Sequence, residues 1–233
     1  MTRCSECAVR DRAICQSLCE ADLEELSRLG RHQTLEKGQA LLWEGDESLL
    51  VGNVVDGVLK LCSTTSAGRD QTLGTFYPSD FLGRPFASTT PHSVIAVTDA
   101  RVCTFTRSAF DGFARKHPDL EHKLLQRTLS ELDRARRWML LLGSKSATER
   151  VSAFLLDLAS RLPAEPVDQG SDGAIRLELP FGRQEIADLL GLTIETVSRQ
   201  ITQLKHDRII DTPSRRAIVI LDRAGLEACA GEL

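Results

Sequence analysis

The sequence has 233 residues, of which 42% are hydrophobic, so it is long and apolar enough for about two globular domains of ordinary size. Its formal charge of −4 argues against indiscriminate attraction to nucleic acid or anionic membranes, and a DNA-binding function would therefore need a local motif. The longest aliphatic run, Trp138 to Leu142, is far shorter than the roughly 20 residues of a membrane span, and we expect a cytoplasmic protein that does not insert into membranes.

Three cysteines lie close together in the stretch CSECAVRDRAIC. Cys4 and Cys7 are separated by two residues, and Cys15 follows after seven more. Two thiolates at the first of these spacings can bind one metal ion or cluster, whereas disulfides are rare in a reducing cytosol. The whole chain has seven cysteines, and this odd number also argues against a full set of disulfides. The cysteines therefore indicate a metal or redox site.

A site with several thiolates favours zinc, copper(I) or an iron–sulfur cluster, and a [4Fe–4S] cluster usually takes four thiolates. The local spacing leaves the fourth ligand open among the remaining cysteines: Cys19, Cys62, Cys103 and Cys229. Cys19 is the nearest in sequence, whereas Cys62 and Cys103 fall in predicted strands. A structural zinc ion held by the first four cysteines is one alternative, and thiols with no ligand at all are another.

Short β-type runs occupy the sequence between Leu35 and Phe105. They are ALLWEGD, LVGNVVDGVLKLC, QTLGTFYP and SVIAVTDARVCTFT. Glycines punctuate these runs at short intervals, which is typical of tight turns between antiparallel strands. The pattern predicts an antiparallel sandwich or barrel as the first domain.

One long helix is predicted from Pro118 to Leu142, because glycine is absent there and the proline suits a first helical turn. Small and hydrophobic residues recur at seven-residue steps and form a seam, which consists of Leu125, Thr128, Leu132, Ala135, Met139 and Leu142. Charged residues surround this narrow stripe, which favours an identical helix of a second subunit as its partner. A helix packed only on its own domain is the alternative, and we predict a homodimer.

A second helical stretch and a polar loop precede the segment RQEIADLLGLTIETVSRQITQLKHD, which has the spacing of a helix-turn-helix. Ala187 lies four residues before Gly191; the small side chain lets two helices approach, and the glycine permits the turn between them. Thr193 is predicted to cap the second helix. Residues 208–222 follow as two predicted strands with a turn at residues 213–216, a wing whose arginines could contact phosphates.

The exposed first turns of that second helix present Glu195, Ser198 and Arg199 together. Arginine can bind guanine through two hydrogen bonds, glutamate can accept from cytosine N4, and serine can bond a base or a phosphate. A helix pair that serves only as core is the alternative, but it would not need this set. Three basic residues could add contacts that position the protein on double-stranded DNA: Arg183, Lys205 and Arg208.

The order of β-domain, long helix and C-terminal helix-turn-helix, together with GLTIETVSRQ, resembles the CRP/FNR family of bacterial transcription regulators. The resemblance covers nearly the whole chain. The C-x2-C-x7-C spacing, the strand ARVCTF, the block FLGRP and the segment WMLLLGSKSATER resemble the FNR branch, and most of all its FnrL-type oxygen-responsive members.

This resemblance implies an α+β fold with an N-terminal antiparallel β-roll of the cyclic-nucleotide-binding type, a long dimerisation helix and a C-terminal winged helix-turn-helix. The expected boundaries are a cysteine-rich arm over 1–19, the β-roll over 20–117, the helix over 118–143 and the DNA-binding domain over 144–233. It also implies a [4Fe–4S] cluster on the family's ligand positions, which match Cys4, Cys7, Cys15 and Cys103.

The family's base-reading set, Glu-x-x-Ser-Arg, matches the three exposed residues of the second helix and implies inverted repeats of TTGAT-type half-sites. A regulator of this kind would dimerise and bind DNA when oxygen is low. It would then meet RNA polymerase and activate or repress genes of anaerobic metabolism.

One departure concerns the effector. Relatives that bind cyclic nucleotides carry Gly-Glu and later Arg-Ser or Arg-Thr, but here Gly83 is followed by Arg84, and His92 precedes Ser93. A cyclic phosphate would lack its bidentate partner, so we do not expect cAMP. The alternative function is a CRP-like regulator with a small-molecule effector in the barrel and a structural zinc ion or no metal. A phosphate loop, nucleophile elbow or HExxH motif is absent from the sequence, and we do not expect an enzyme.

Overall fold

The structure is a computed structural model that describes residues 4–47, 49–64, 70–167 and 173–231. Two compact units divide the chain, residues 1–133 and residues 134–233. The boundary falls inside one long helix, which contributes its first half to the N-terminal unit and its second half to the C-terminal unit.

The N-terminal unit is built on antiparallel strands: β1 (Arg31–Leu35), β2 (Ala40–Leu42), β3 (Leu50–Asp56), β4 (Leu59–Thr64), β5 (Asp70–Phe76), β6 (Phe81–Leu82), β7 (Ser93–Ala96) and β8 (Ala100–Thr106). They form one sheet in the order β1-β8-β3-β6 and another in the order β2-β7-β4-β5. Leu35, Val54 and Val102 from the first sheet share a buried core with Leu59 and Val94 from the second. The predicted antiparallel β-roll is therefore confirmed.

The turn between β3 and β4 requires a glycine. Gly57 has φ +80°, and a Cβ atom there would overlap the backbone of Asp99 and Ala100. Most side chains disfavour this left-handed backbone, and the close approach leaves room for hydrogen only. The turn fixes how β3 returns as β4 into the second sheet.

Two helices that the sequence did not reveal close one end of the roll: α1 (Glu20–Leu29) and α2 (Arg107–Ala114). The N-terminal segment before α1 packs against them through two short 3-10 turns, Cys4–Glu6 and Ile14–Ser17. Ile14 and Leu18 are buried in the same core as Leu26, Phe110 and Leu120. The cysteine-rich arm is thus an integral layer of the N-terminal unit.

Helix α3 spans Pro118–Ser144 and confirms the predicted long helix. It continues through Gly143, because one glycine costs a helix interior only about 1 kcal/mol relative to alanine. Its first turn carries Leu120, which is fully buried in the core described above.

The C-terminal unit follows α3 with these elements: α4 (Ala147–Arg161), β9 (Glu165–Pro166), β10 (Ile175–Glu178), α5 (Arg183–Leu190), α6 (Ile194–His206), β11 (Ile210–Asp211), β12 (Ala217–Ile220) and α7 (Arg223–Ala230). Ser146 and Glu149 form a capping box that starts α4. The strands form a sheet in the order β11-β12-β10-β9 beside the α5–α6 pair. The predicted winged helix-turn-helix is confirmed, including the two strands of the wing.

Among the helices in the described part of the chain, none combines the length and apolar character that crossing a membrane requires.

Candidate functional site

Strand pairing places Cys103 at the centre of the first sheet. Strand β8 lies between β1 and β3, so Cys103 is directly opposite His32 on one side and Asn53 on the other. The backbone packs closely here, since a Cβ atom on Gly52 would overlap the carbonyl oxygen of Cys103. A Cβ atom on Gly30 would lie 3.5 Å from the Cys103 sulfur. The strand pairing and the close approach at Gly52 fix the backbone position of Cys103.

The arm brings its three cysteines to the same place. Cys4, Cys7, Cys15 and Cys103 line one small, largely enclosed cavity, whose free space is about 20 Å³. Its other walls are residues of the arm and of the roll: Val9, Arg10, Ala13, Leu23, His32, Asn53 and Val55. Four soft sulfur donors that converge on one cavity are the donor set that an iron–sulfur cluster uses.

The four thiols are adjacent, but they are not gathered around a single point. Within the described ranges, no group of three or more cysteine, histidine or carboxylate side chains is close enough to hold one metal ion. A tetrahedral zinc ion would need four sulfurs at about 2.3 Å from its centre. In a [4Fe–4S] cluster each thiolate binds a different iron, and the four cysteines that line the cavity are the donor set that such a cluster takes.

Burial, followed by the neighbouring Cys4 and Cys7 sulfurs, raises the pKa of Cys15 to about 12. Burial, followed by the neighbouring thiols, also raises the pKa of Cys103 to about 12. Both are therefore neutral thiols at neutral pH in the metal-free protein, and a metal must displace their protons. Because these folded pKa values exceed the unfolded value of 9.0, the metal-free fold loses stability as pH rises from about 9 towards 12.

The remaining cysteines lie elsewhere. Cys19 is exposed at the residue before α1 and does not line the cavity. Cys62 is buried in β4 of the other sheet, where its Sγ donates to the carbonyl oxygen of Ser93 at 3.8 Å. Cys229 lies on α7 in the C-terminal unit. Of the four candidates for a further ligand, Cys103 is the one that shares a cavity with the arm.

Asn53 is a residue of this cavity that the sequence analysis missed. Its amide Nδ2 donates to the Cys15 sulfur at 3.9 Å, and its side chain is buried. The signal was present in the sequence as one amide inside the apolar run LVGNVVDG of β3. A polar residue in the middle of a buried strand usually has a specific partner.

The arm also contacts the long helix within the N-terminal unit. A guanidinium nitrogen of Arg127 on α3 donates to the backbone carbonyl oxygen of Arg12, which lies between Cys7 and Cys15. Ile14 and Leu18 of the arm share their core with Leu120 of α3. The segment that carries three of the four thiols is thus packed against the start of α3.

Five of the six predicted seam residues on α3 are exposed in the single chain, and Leu142 is half-buried. Leu125 is 56% exposed, Leu132 44% and Met139 73%, and Leu129 and Leu140 widen the stripe. Thr128 and Ala135, the small members, are also exposed. Large apolar side chains left in solvent on one helix are typical of an interface.

The helix-turn-helix has the local geometry that its sequence predicts. Gly191 adopts the left-handed conformation at the end of α5, and the Thr193 hydroxyl accepts from the backbone N–H of Thr196 at the start of α6. Val197, Ile201 and Leu204 bury one face of α6. The opposite face exposes the predicted base-reading residues Glu195, Ser198 and Arg199.

The polar face of α6 presents hydrogen-bond acceptors and donors that suit base edges. A hydrogen bond from its own backbone N–H, and one from Thr193, hold the pKa of Glu195 below its usual value, so this carboxylate is ionised and only accepts. Arg199 makes a long contact, 3.4 Å from Nη2 to the Thr196 hydroxyl, and its exposed guanidinium carries several N–H donors suited to base edges.

The basic residues that were predicted to contact phosphates differ in the partners that they have in the structure. Lys205 forms an ion pair with Asp211 at 2.9 Å, whereas Arg208 is exposed with φ +58° at the turn before β11. Arg183 is half-buried, and burial lowers its pKa. In the wing, Arg216 donates to the carbonyl oxygen of Pro180 at 2.8 Å.

Comparisons with known proteins agree with this architecture. A family model for a Crp-like helix-turn-helix domain matches residues 149–229, and one for a cyclic nucleotide-binding domain matches residues 32–117. The transcriptional activator protein FnrL of Cereibacter sphaeroides is 40% identical over 99% of this chain and 92% of its own length. The nitrogen fixation regulation protein FixK of Bradyrhizobium diazoefficiens is 39% identical over 97% of this chain and 93% of that protein.

The solved structure of FixK2 from Bradyrhizobium japonicum superposes with a TM-score of 0.78 at 31% identity, and the match covers 88% of this chain and 98% of that one. The transcriptional activator protein Anr of Pseudomonas aeruginosa is 32% identical over 98% of this chain and 92% of its own length. These relatives align along almost the full sequence.

The placement of the cysteines predicts their order of alkylation in the reduced, metal-free protein. At neutral pH, iodoacetamide should modify exposed Cys19 first, and should modify Cys15 and Cys103 at least about tenfold more slowly, because burial excludes the reagent and keeps them protonated. Peptide mass spectrometry over a time course measures each rate. In concentrated urea the differences should disappear, and rapid native alkylation of Cys15 would contradict the packing of the arm.

Proposed function

The chain belongs to the CRP/FNR family of transcription regulators, and we propose that it is an oxygen-responsive member that binds a [4Fe–4S] cluster through Cys4, Cys7, Cys15 and Cys103. The observation that carries the proposal is the single cavity lined by these four thiols, three from the arm and one from β8. A fold by itself does not determine which effector a protein binds, so the cysteine site is what supports the cluster as the effector.

A bound [4Fe–4S] cluster would supply sensitivity to oxygen, because oxygen oxidises such a cluster and leads to its loss. The role of the protein is to hold and position it. As ligands, the four cysteines lose their protons and tie the arm to the central strand of the first sheet. When the ligands are released, the arm retains only its own packing on the roll.

The contacts of the arm suggest how this state would reach α3. Arg127 donates to the carbonyl oxygen of Arg12, and Ile14 packs in the core that contains Leu120. Packing of residues 4–15 therefore supports the start of α3 in one position. We propose that this position favours pairing of the exposed α3 seam with that of a second subunit.

Dimerisation would present two copies of α6 to DNA. Recognition helices about one helical turn, ~34–36 Å, apart read two half-sites at once, and the second contact gains from the high effective concentration set by the first. Glu195, Ser198 and Arg199 are proposed to read TTGAT-type half-sites in an inverted repeat. The dimer would then activate or repress transcription through RNA polymerase.

The ligand assignment predicts a specific pair of phenotypes. After strictly anaerobic reconstitution with iron and sulfide, the wild type and Cys62→Ser should show a brown chromophore that air bleaches, whereas Cys103→Ser should show none. Visible absorption spectra and iron and sulfide analysis check this.

Zinc without iron in the reconstituted wild type would contradict the proposal and favour a CRP-like regulator with another effector. Loss of the chromophore in Cys62→Ser with retention in Cys103→Ser would overturn the ligand assignment.

The seam predicts a second outcome. Leu132→Glu places two like charges in the dimer interface and should weaken the dimer by about 100-fold or more, with loss of DNA binding. Ser130→Glu adds the same charge on the opposite face of α3 and should leave dimerisation unchanged. Analytical ultracentrifugation of the reconstituted protein under anaerobic conditions compares the two. A Leu132→Glu protein that still dimerises would place the interface elsewhere.

The exposed face of the recognition helix predicts how two substitutions affect DNA binding. Arg199→Ala should remove about 1–3 kcal/mol of discrimination between a TTGAT inverted repeat and a repeat with the guanine replaced. Arg208→Ala should instead weaken binding to both DNAs to a similar extent, because a phosphate contact carries no base preference. Anaerobic fluorescence anisotropy at fixed salt measures both. Equal discrimination by Arg199→Ala and the wild type would contradict the assignment.

A further inference from the structure

Asn53 occupies an unusual position in the cavity of the four thiols. It is the one asparagine in the whole sequence, and its side chain is only 2% exposed in the middle of β3. Its register partner across the sheet is Cys103, so the two side chains emerge on the same face. Asn53 therefore lies beside the thiol of Cys103 and faces the arm.

The hydrogen bonds of this amide are incomplete within the described residues. Nδ2 donates to the Cys15 sulfur at 3.9 Å, a long contact, and Oδ1 is buried without a partner. A buried amide with unmade hydrogen bonds destabilises a fold, whereas an apolar residue of similar size at the same site would not. The stability of the fold alone therefore does not account for this amide.

A role in holding the strands together does not explain Asn53 either. The backbone of β3 is already paired with β8 on one side and with β6 on the other. The described hydrogen bonds of the side chain include none to either neighbouring strand. Among the described residues, the hydrogen-bond partner of the amide is the sulfur of Cys15, a proposed cluster ligand.

We propose that the Asn53 amide holds the Cys15 thiolate in its ligating position and slows loss of the cluster, an inference that rests on the proposed function. Cys15 belongs to the 3-10 turn Ile14–Ser17 of the arm, whereas Cys103 lies on β8 between β1 and β3. An N–H donor to a thiolate stabilises the charged sulfur in a site that is shielded from water. Hydrogen bonds to ligand sulfurs also tune the reduction potential of such clusters. Because Asn53 would act through Cys15, it is a positioning residue.

The test compares Asn53→Leu with the wild type and with Thr90→Val. Thr90 is a matched control, because it is 5% exposed in the same roll, its hydroxyl has no partner in the described residues, and it does not line the cavity. Each full-length protein is reconstituted anaerobically with iron and sulfide and is then exposed to a ferrous chelator without oxygen. The decay of visible absorbance gives the rate of cluster loss.

Asn53→Leu should lose the cluster about tenfold faster than the wild type, while Thr90→Val should match the wild type. The melting temperature of metal-free Asn53→Leu should equal or exceed that of the metal-free wild type, because the substitution removes an unsatisfied amide. Equal rates of cluster loss would overturn the inference. A lowered melting temperature of the metal-free variant would also overturn it, since the residue would then act through packing.

A second readout uses the single asparagine. Protein labelled with nitrogen-15 only at the asparagine side chain should give one NH2 pair in a proton–nitrogen NMR spectrum, assigned by its disappearance in Asn53→Leu. Reconstitution should shift or broaden this pair, because the amide lies beside a cluster ligand. An unchanged pair in a protein that carries the chromophore would overturn the inference alone. A wild type that forms no chromophore would overturn the proposed function as well.

Discussion

The packing of the N-terminal arm against the β-roll is the interaction on which the candidate site depends. Without it, Cys103 would be a single thiol on a strand and the other three cysteines would belong to a short polar segment. Val9, Ala13 and Ile14 are almost completely buried, and their burial brings the arm down onto β8 and α1. The apolar residues between the cysteines are therefore as important to the site as the thiols themselves.

This burial also defines the chemistry that the site can support. Raised pKa values keep Cys15 and Cys103 neutral at neutral pH, so their conversion into thiolate ligands requires accompanying positive charge. A metal centre supplies such charge, and its removal leaves the thiols to take up protons again. Occupation of the cavity and the protonation of its buried cysteines are thus two aspects of one equilibrium.

The arm is a suitable element for communication because it contacts both the sheet and α3. Its residues reach Cys103 on one side, and Arg127 and Leu120 on the other. A change of a few kilocalories per mole in the stability of such a short segment is enough to shift a marginal association by orders of magnitude. The recognition helix, by contrast, is preformed in the C-terminal unit, with its apolar face buried and its polar face exposed. Regulation in the proposed scheme therefore acts on pairing and leaves the DNA-reading surface unaltered.

The sequence by itself determined the elements whose causes are local. Gly191 and Thr193 indicate the turn and the cap of the helix-turn-helix. Apolar residues at seven-residue steps indicate the exposed seam of α3. Recurring glycines indicate the turns between the strands. Local spacing alone could not choose the fourth cysteine; the family resemblance suggested Cys103, and the tertiary structure brought it to the arm. Local spacing failed because Cys103 and Cys15 are 88 positions apart in the numbering (103 − 15). Only strand register and burial bring residues at such a separation together. Asn53 and Arg127 were not identified from the sequence for the same reason, since their roles arise from contacts between distant segments.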